Sequence, residues 1–587
     1  PFRSERQRQG LGRLWEMQEA DSVCTHCSAA CTLRVSLKDG RLTRVRAASV
    51  EDYICARGRF GWSYLNSSER ITSPMVKKDG TLVPVGWDEA LEAITDGLRG
   101  AVDKNGAGAV GGILGAIVNG EVASGFTRLI REGLQGRYVD SVLRGVDRRF
   151  MKDFAGLGDG AAYAGLDEVA GADVLLVVGD VTERVPALWP RIKAARERGA
   201  TLIALDMRES RISRAAQVWL RPGAGAEAAV LEQLAAGLLD QGMYDREALA
   251  DGSGLLAALQ EAQSETGVSA EALEAAVAAY GDSSRKAVAV FAVDGADPAV
   301  GKAVLRLAFL TGRLAGGIFP AAGVPNLGGL LRAGAYAADG DDDQLRALYV
   351  LAEDPISTFA SSAQVKARLE GLEFLVVQDL FLTETAALAD VVLPASAPLE
   401  TGGSFLNING SAPELAAVVA ATVPPEINTI KTLMERFGVA ADGQAQNNES
   451  GGAAGTPESI LAPVAAAAVQ PDAEYPLVMV PYASSGRVYL AKRSEMAGLD
   501  AVDQDGKCLC MAPDDAKALG IDSAGGEVVV RTAAASVAVK ATPDASLPAG
   551  VVVLPAYSIE ANTLLAKGQV AVPVAVTIEA GTKGGNA

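Results

Sequence analysis

The sequence predicts an α/β protein in which a small cysteine-bearing domain precedes two doubly wound α/β domains and a closing β-barrel. Three observations predict this. Four of the six cysteines fall within the first 55 residues. Through the middle of the chain, short apolar runs alternate with helix-length amphipathic segments, which is typical of a parallel sheet covered by helices. After a stretch rich in glycine, alanine and asparagine, the carboxyl-terminal part shows short β-rich runs around one helix at 513–519.

The chain has 587 residues, which is enough for several domains. A Gly/Ala/Asn-rich stretch cannot bury a core, so it is predicted to be a flexible linker. The expected segments are a lead-in at 1–20, the cysteine domain at 21–75, one α/β domain at 76–140 plus 335–440, a second at 141–334, the linker at 441–474 and the barrel at 475–587.

The net charge of −19 argues against a nucleic-acid partner, because phosphate binding requires clustered Lys and Arg. The charge is uneven, since the first 70 residues carry twelve Lys/Arg and eight Asp/Glu. These cations either stabilise an anionic cluster or form a solvated or partner-facing surface. The apolar runs at 287–293 and 551–554 are far shorter than the ~20 residues that cross a bilayer, so no membrane span is predicted.

The cysteine spacing is the most specific signal in the chain. Cys24, Cys27 and Cys31 lie in one tight loop, and Cys55 follows a predicted hairpin with an Asp-Gly turn. Three cysteines within eight residues and a distant fourth are typical of a 4Fe-4S cluster. A four-cysteine zinc site is the alternative, although such sites usually pair two Cys-x2-Cys knuckles.

Three further residues with metal-binding side chains are predicted not to bind the cluster. His26 lies between two of the predicted ligands, where it could replace one or tune the cluster, but a loop side chain is the simpler interpretation. Cys508 and Cys510 alternate as in a strand and are predicted to be buried thiols that bind no metal.

A strand–helix–strand unit is predicted in the second α/β domain. Apolar runs at 173–178 and 201–205 flank a helical segment at 186–198, as in a right-handed βαβ unit. Asp206 follows the second strand, in the place of a ribose-binding acid. Without a full Gly-x-Gly-x-x-Gly motif, a purely structural aspartate explains the same residue.

Several motifs are similar to those of one known family. The segment from Cys24 to Cys31 and the Cys-Ala-Arg-Gly-Arg-Phe-Gly run at 55–61 resemble the opening of the molybdopterin oxidoreductase superfamily, and within it the G subunits of the NADH-quinone oxidoreductases (respiratory complex I). Residues 348–355 and 381–394 match its central signatures. The resemblance implies a formate dehydrogenase/dimethyl sulfoxide reductase-like fold that ends in a double-psi-like, molybdopterin-dinucleotide-binding-like barrel.

The same resemblance guides the expectations about cofactors. Arg57 stands near the cluster, where related formate dehydrogenases place a relay lysine. Val146 falls at the expected metal-ligand position and cannot bind molybdenum, which leaves Asp147 as the ligand only if molybdenum is present. Asp206 would then belong to a vestigial nucleotide site. One 4Fe-4S cluster is expected, a bound molybdopterin dinucleotide is not, and no catalytic residue is assigned.

The expected role is that of an iron–sulfur electron-transfer and scaffolding subunit of an NADH:quinone oxidoreductase or a related NAD(P)H-linked complex. Its expected partners are NADH-binding and iron–sulfur subunits, which would hold it in the cytoplasm at the inner face of the membrane. In the subunits that the chain resembles, the lead-in follows directly on ferredoxin-like domains, and Pro1 falls where those domains would have ended. The alternatives are a catalytic molybdenum or tungsten oxidoreductase of formate dehydrogenase or nitrate reductase type, and a non-redox zinc module.

Overall fold

The chain divides into two units. The first contains residues 1–144, 324–449 and 486–503, and the second contains 145–323, 450–485 and 504–587. Val146, Asp147 and most of the predicted linker at 441–474 lie outside the residues that the structure describes. This computed structural model describes residues 13–49, 53–145, 148–157, 161–262, 264–294, 297–337, 344–440, 460–462, 469, 471–482, 491–497, 508–555, 558–566 and 574–580.

The cysteine domain in the first unit is built on a three-stranded antiparallel sheet. The predicted hairpin is present as Thr32–Lys38 and Arg41–Ala47, and Gln18–Val23 adds a strand that the sequence did not predict. Asp39 and Gly40 both have positive φ, of 52° and 76°, as a tight hairpin turn requires.

A seven-stranded sheet forms the core of the α/β part of this unit. Five consecutive strands, which include one edge strand, are parallel, and the other two strands add antiparallel pairs at the opposite edge. The strand order is Thr81–Pro84, Met75–Lys78, Val391–Pro394, Phe374–Asp379, Ala347–Leu351, Val110–Leu114 and Val139–Ser141.

Close packing of helices on this sheet depends on glycine. Gly112 lies in the fully buried strand Val110–Leu114, and a Cβ atom there would lie 2.5 Å from the Phe126 ring. The helices of this unit are Ala56–Phe60, Trp87–Asn105, Gly120–Arg128, Leu327–Arg332, Pro355–Thr358, Ser362–Glu370, Glu384–Leu388, Pro398–Thr401, Glu426–Arg436 and Ala491–Met496, with a π-helical turn at Leu129–Gly133 and 3-10 turns at Leu14–Glu16 and Ser63–Asn66. A short strand pair joins Gly403–Ser404 to Glu414–Leu415.

The second unit contains a five-stranded parallel sheet. Its order is Val218–Leu220, Thr201–Leu205, Val174–Val178, Ala287–Ala292 and Ile318–Ala321. The predicted strand–helix–strand unit is present, with its helix at Leu188–Glu197 and Gly199 at φ 96° after it. Further helices lie at Arg148–Ala155, Leu166–Ala170, Val181–Arg184, Arg211–Ala215, Glu227–Asp240, Ser253–Glu261, Ala270–Gly281 and Pro298–Leu310.

A closed six-stranded barrel completes the second unit. Its strands, in order around the barrel, are Leu477–Tyr482, Val551–Pro555, Leu509–Met511, Ser536–Pro543, Gly526–Arg531 and Val574–Ala580. The helix Pro513–Ala518 was predicted, and a second helix at Ile559–Leu564 was not. In the part of the chain that the structure describes, no helix is both long and apolar enough to cross a membrane.

Candidate iron–sulfur site

Two strands hold the cysteine loop at its ends. Gln18–Val23 ends immediately before Cys24, and Thr32–Lys38 begins immediately after Cys31. The loop is closed by a backbone hydrogen bond in which Cys24 N donates to Cys31 O over 2.9 Å. The sheet therefore fixes the direction in which the loop leaves and returns.

The fourth cysteine approaches from a helix. Cys55 is the N-cap residue of Ala56–Phe60, and the helix packs against the strand Arg41–Ala47. Gly58, on this helix, lies against the loop, since a Cβ atom at that position would lie 3.6 Å from Cys24 Sγ. This packing explains how a ligand distant in sequence reaches the other three.

The four thiols share one partly dry environment. Cys24 and Cys27 are each 6% exposed, while Cys31 and Cys55 are half-buried. Burial raises the pKa of the Cys24 thiol well above its usual range, and Cys31, Cys27 and Cys55 raise it further because a neighbouring thiolate repels a second one. Thiolates this close need positive charge to stabilise them, and iron in a cluster supplies it.

Four cysteines supply one complete ligand set for a 4Fe-4S cluster, because such a cluster binds one thiolate at each iron. Among the described residues, no group of three or more His, Cys, Asp or Glu side chains is spaced to hold one metal ion. The iron–sulfur assignment therefore depends on the cysteine spacing, the shared environment of the thiols and the family comparison given below.

His26 is a loop side chain that is part of the packed core of this domain. It is 2% exposed, and its ring centroid lies 4.5 Å from that of Trp62. Neither ring nitrogen has a hydrogen-bond partner among the residues described. Burial lowers the pKa of His26 well below its usual range, and the charges of Arg493 and Arg57 lower it further.

A second glycine fixes the position of this histidine. A Cβ atom at Gly61 would lie 2.5 Å from Arg57 O and 2.8 Å from His26 Nε2, so no larger residue fits without a backbone shift. Arg57 itself is 3% exposed and follows Cys55 by two positions. The predicted cation near the cluster is thus a buried one.

Sequence reasoning missed a second arginine in the same domain. Arg493 lies on the helix Ala491–Met496, which packs against the 3-10 turn Ser63–Asn66, and Ser63 Oγ donates to Ala497 O over 3.2 Å. The Arg493 guanidinium donates to Tyr64 Oη over 3.2 Å. No sequence signal could have found it. Residues 475–587 were predicted to form the barrel as one segment, and nothing in the local pattern around Arg493 indicates a contact with the cysteine domain.

A small recess lies over the cysteine loop. It encloses about 210 Å³, including space continuous with solvent, and Cys24, Thr25 and Phe405 are among the residues that line it. Thr25 Oγ1 is buried without a hydrogen-bond partner among the described residues. The cysteine loop therefore has a hydroxyl oxygen, Thr25 Oγ1, that makes no hydrogen bond to the described residues near this recess.

In the second unit, Asp206 lies at the carboxyl end of the parallel strand Thr201–Leu205, as predicted. Its Oδ1 accepts a hydrogen bond from Arg208 N at 3.0 Å, whereas Oδ2 is buried and has no partner among the described residues. Burial, with a smaller contribution from the charge of Asp180, raises its pKa to about 7. Gly179, at the end of the neighbouring strand, has φ 72° and open space where a Cβ would be.

Cys508 and Cys510 are buried in the barrel, at 6% exposure each, which confirms their predicted burial. The Sγ atom of Cys510 lies 3.8 Å from Thr542 Oγ1.

Comparison with known proteins gives three family matches that cover most of the chain. Residues 17–67 match the molybdopterin oxidoreductase Fe4S4 domain, residues 70–429 match the molybdopterin oxidoreductase family, and residues 479–581 match the molybdopterin dinucleotide binding domain. The first match contains all four cysteines and supports a 4Fe-4S cluster.

Curated relatives fall into two groups. The NADPH-Fe(3+) oxidoreductase alpha subunit of Geobacter sulfurreducens is 30% identical over 70% of this chain, and the G 2 subunit of the NADH-quinone oxidoreductase from Rhizobium meliloti is 30% identical over 68%. The F420-dependent formate dehydrogenase alpha subunit of Methanocaldococcus jannaschii is 26% identical over 67%. The chain spans 54%, 51% and 66% of these relatives, so it covers only about half the length of the first two.

Among solved structures, acetylene hydratase from Pelobacter acetylenicus superimposes with a TM-score of 0.76, over 95% of this chain and all of that one, at 16% identity. This likeness confirms the predicted fold class. The expectation that molybdopterin dinucleotide is not bound is unsupported, because the matches include the domains that bind it.

Proposed function

The chain belongs to the molybdopterin oxidoreductase family, and from this membership we propose that it is an iron–sulfur electron-transfer subunit of a multi-subunit, NAD(P)H-linked oxidoreductase. Cys24, Cys27, Cys31 and Cys55 each donate one thiolate to a single 4Fe-4S cluster. The cluster accepts and donates one electron at a time, and the protein supplies its ligands, its burial and its nearby cations.

The observation that carries the proposal is the complete cysteine set, held in a domain that also buries Arg57. The names of two relatives support the complex, since the proteins from Geobacter sulfurreducens and Rhizobium meliloti are both subunits of redox enzymes. The partners are then NADH-binding and iron–sulfur subunits, which would hold the chain in the cytoplasm at the inner face of the membrane. The seven-stranded sheet and the barrel serve as scaffold.

No catalytic residue for formate or nitrate chemistry is included in this proposal. Val146 stands where the family places its metal ligand, and a valine side chain has no atom that can bind molybdenum. The chain also has no histidine besides His26 to handle protons beside such a metal. The proposal does not require the pterin to be absent, and Asp206 remains the residue that would contact its nucleotide.

The second candidate is a catalytic molybdenum or tungsten oxidoreductase of formate dehydrogenase or nitrate reductase type, with Asp147 as the metal ligand. The formate dehydrogenase relatives and the molybdopterin dinucleotide binding domain favour it.

The two candidates are separated on the purified complex. We expect NAD(P)H to reduce the cluster, as followed by EPR, and neither formate nor nitrate to support dye turnover. The matched control is Asp147→Ala, which should leave NAD(P)H-dependent reduction unchanged. Formate- or nitrate-dependent turnover that is present in the parent complex and abolished by Asp147→Ala would overturn the proposal in favour of the molybdenum enzyme.

A further inference from the structure

A continuous stack of side chains connects a distant arginine to the cysteine loop. The Cζ atom of Arg493 lies 4.8 Å from the centroid of the Tyr64 ring. The Tyr64 and Trp62 rings are stacked at 6.3 Å, and the Trp62 and His26 rings lie 4.5 Å apart. Because His26 lies between Cys24 and Cys27, the stack begins at a cation and ends inside the ligand loop.

The whole stack is shielded from water within this unit. Arg493, Tyr64, Trp62 and His26 are exposed by only 3%, 0%, 1% and 2%. Trp62 is also held in place by a hydrogen bond in which its Nε1 donates to Gly58 O over 2.8 Å. Charges interact more strongly and are screened less by salt in such surroundings than at the surface.

The charge of Arg493 has no counter-ion among the residues that the structure describes. Its side-chain hydrogen bond goes to a neutral phenol, since burial raises the pKa of Tyr64, and its Nε atom is buried without a partner. The charge of Arg493 also acts on the carboxyl group of Asp379. Burial nevertheless raises the pKa of Asp379 to about 7. A buried cation is costly unless an anion offsets it, and a cluster with four thiolate ligands is anionic.

We propose that Arg493 is a second buried cation of the cluster, beside Arg57, and that its charge raises the reduction potential of the cluster from the far end of the aromatic stack. This inference rests on the proposed 4Fe-4S cluster. Reduction adds one negative charge to the cluster, so a fixed cation stabilises the reduced form more than the oxidised form. The Tyr64, Trp62 and His26 rings lie between Arg493 and the ligand loop, and Arg493 therefore acts as a positioned charge.

The test is an EPR-monitored redox titration of the full chain. It compares the parent with Arg493→Gln, Arg493→Lys and Arg59→Gln at a pH below about 7, where burial keeps Asp379 protonated. We expect Arg493→Gln to shift the midpoint potential to a more negative value and Arg493→Lys to stay near the parent. Arg59→Gln should have no effect, because Arg59 lies on the same helix as Arg57 but is exposed.

Iron content per chain shows whether each variant retains its cluster. If Arg493→Gln loses it, Arg493→Met replaces that variant, since its stem can still pack on Tyr64 while the charge is gone, and the same negative shift is expected. An unchanged potential in the charge-removing variant, or an equal shift in Arg493→Lys, would overturn the inference. A parent chain that shows no iron–sulfur signal would instead refute the proposed function.

Discussion

At the scale of single residues, the candidate site combines five residues that are close in sequence with others that tertiary packing brings to them. The four cysteines and Arg57 lie within 34 consecutive residues, so spacing alone groups them. Arg493 was missed because its contact with Tyr64 depends on tertiary packing, which no local pattern encodes. The burial of His26 was missed for the same reason, since it follows from the packing of Trp62 and Gly61.

One buried ion pair should be important for the stability of the first unit. Arg70 donates two hydrogen bonds of 2.7 Å to the carboxylate of Glu400, and the two side chains are 4% and 1% exposed. Arg70→Met should destabilise the unit by about 3–5 kcal/mol, because it leaves a buried carboxylate unpaired. The matched control is Lys78→Met, which removes an exposed pair with Glu89 and should cost no more than about 1 kcal/mol.

Denaturant unfolding of the two variants measures this difference, with the double variant Arg70→Met/Glu400→Leu as a further check. The double variant should recover part of the loss, since no charge is then left unpaired. Equal destabilisation by Arg70→Met and Lys78→Met would contradict the structural interpretation of this pair.

A second buried carboxyl should make stability depend on pH. Burial raises the pKa of Glu426 from 4.5 to about 7, and Ser396 N donates a hydrogen bond to its Oε1. The folded state therefore binds more protons than the unfolded state between these values, and stability falls as the pH rises through this window. Glu426→Gln removes the ionisable group, so its advantage over the parent should grow from about pH 4.5 to 7 and then level off, reaching on the order of 3 kcal/mol at most.

Thermal unfolding of the parent and of Glu426→Gln across this pH range measures the effect. Glu89→Gln is the control, because it removes an exposed carboxyl group. Parallel stability curves for the parent and Glu426→Gln would show that the carboxyl is not protonated by burial.

At the scale of secondary structure, the long buried strands were predictable and the short ones were not. Runs such as Thr201–Leu205 and Ala347–Leu351 are continuously apolar and flanked by turn residues. By contrast, Val218–Leu220, Val139–Ser141 and Leu509–Met511 have three residues each, which is too short for any period to be read. They are strands because neighbouring strands supply their hydrogen bonds.

Gln18–Val23 was missed for a different physical reason. It is largely polar and exposed, and Ser22 is its one fully buried residue. Its place is fixed by pairing with Thr32–Lys38 and by surface pairs such as Arg34 with Asp21, at 2.6 Å. A polar edge strand lacks the alternation that marks a strand in sequence.

Two glycines with opposite environments test the packing of helices on the seven-stranded sheet. Gly112→Ala should destabilise the first unit by about 1–3 kcal/mol, because the added Cβ would lie 2.5 Å from the Phe126 ring. Gly100→Ala should stabilise it by about 0.5–1 kcal/mol, because Gly100 lies on the exposed side of the helix Trp87–Asn105 and has open space around it.

Denaturant unfolding measures the change in the free energy of unfolding for both alanine variants. The prediction requires opposite signs, so a common loss of stability would mean that the helix Trp87–Asn105 has no free space at Gly100. A neutral Gly112→Ala would mean that the Phe126 ring can move aside at little cost.

At the scale of the whole molecule, the family fold is retained while the chemistry it carries has to be assigned at the site. The same fold occurs in acetylene hydratase, and the sequence relatives include formate dehydrogenases, so the architecture alone does not select an activity. The electron-transfer role proposed for this chain depends on its cysteine domain. The four cysteine ligands, their buried surroundings and two buried arginines occur together there.

Low-temperature EPR of the reduced full-length chain tests the central claim most directly. The account predicts one 4Fe-4S signal in the parent, which is lost or altered in both Cys24→Ser and Cys55→Ser. The control Cys510→Ala changes a buried barrel thiol and should leave the signal as it is in the parent. An unchanged 4Fe-4S signal in both serine variants, or zinc in place of iron in the parent, would contradict the account.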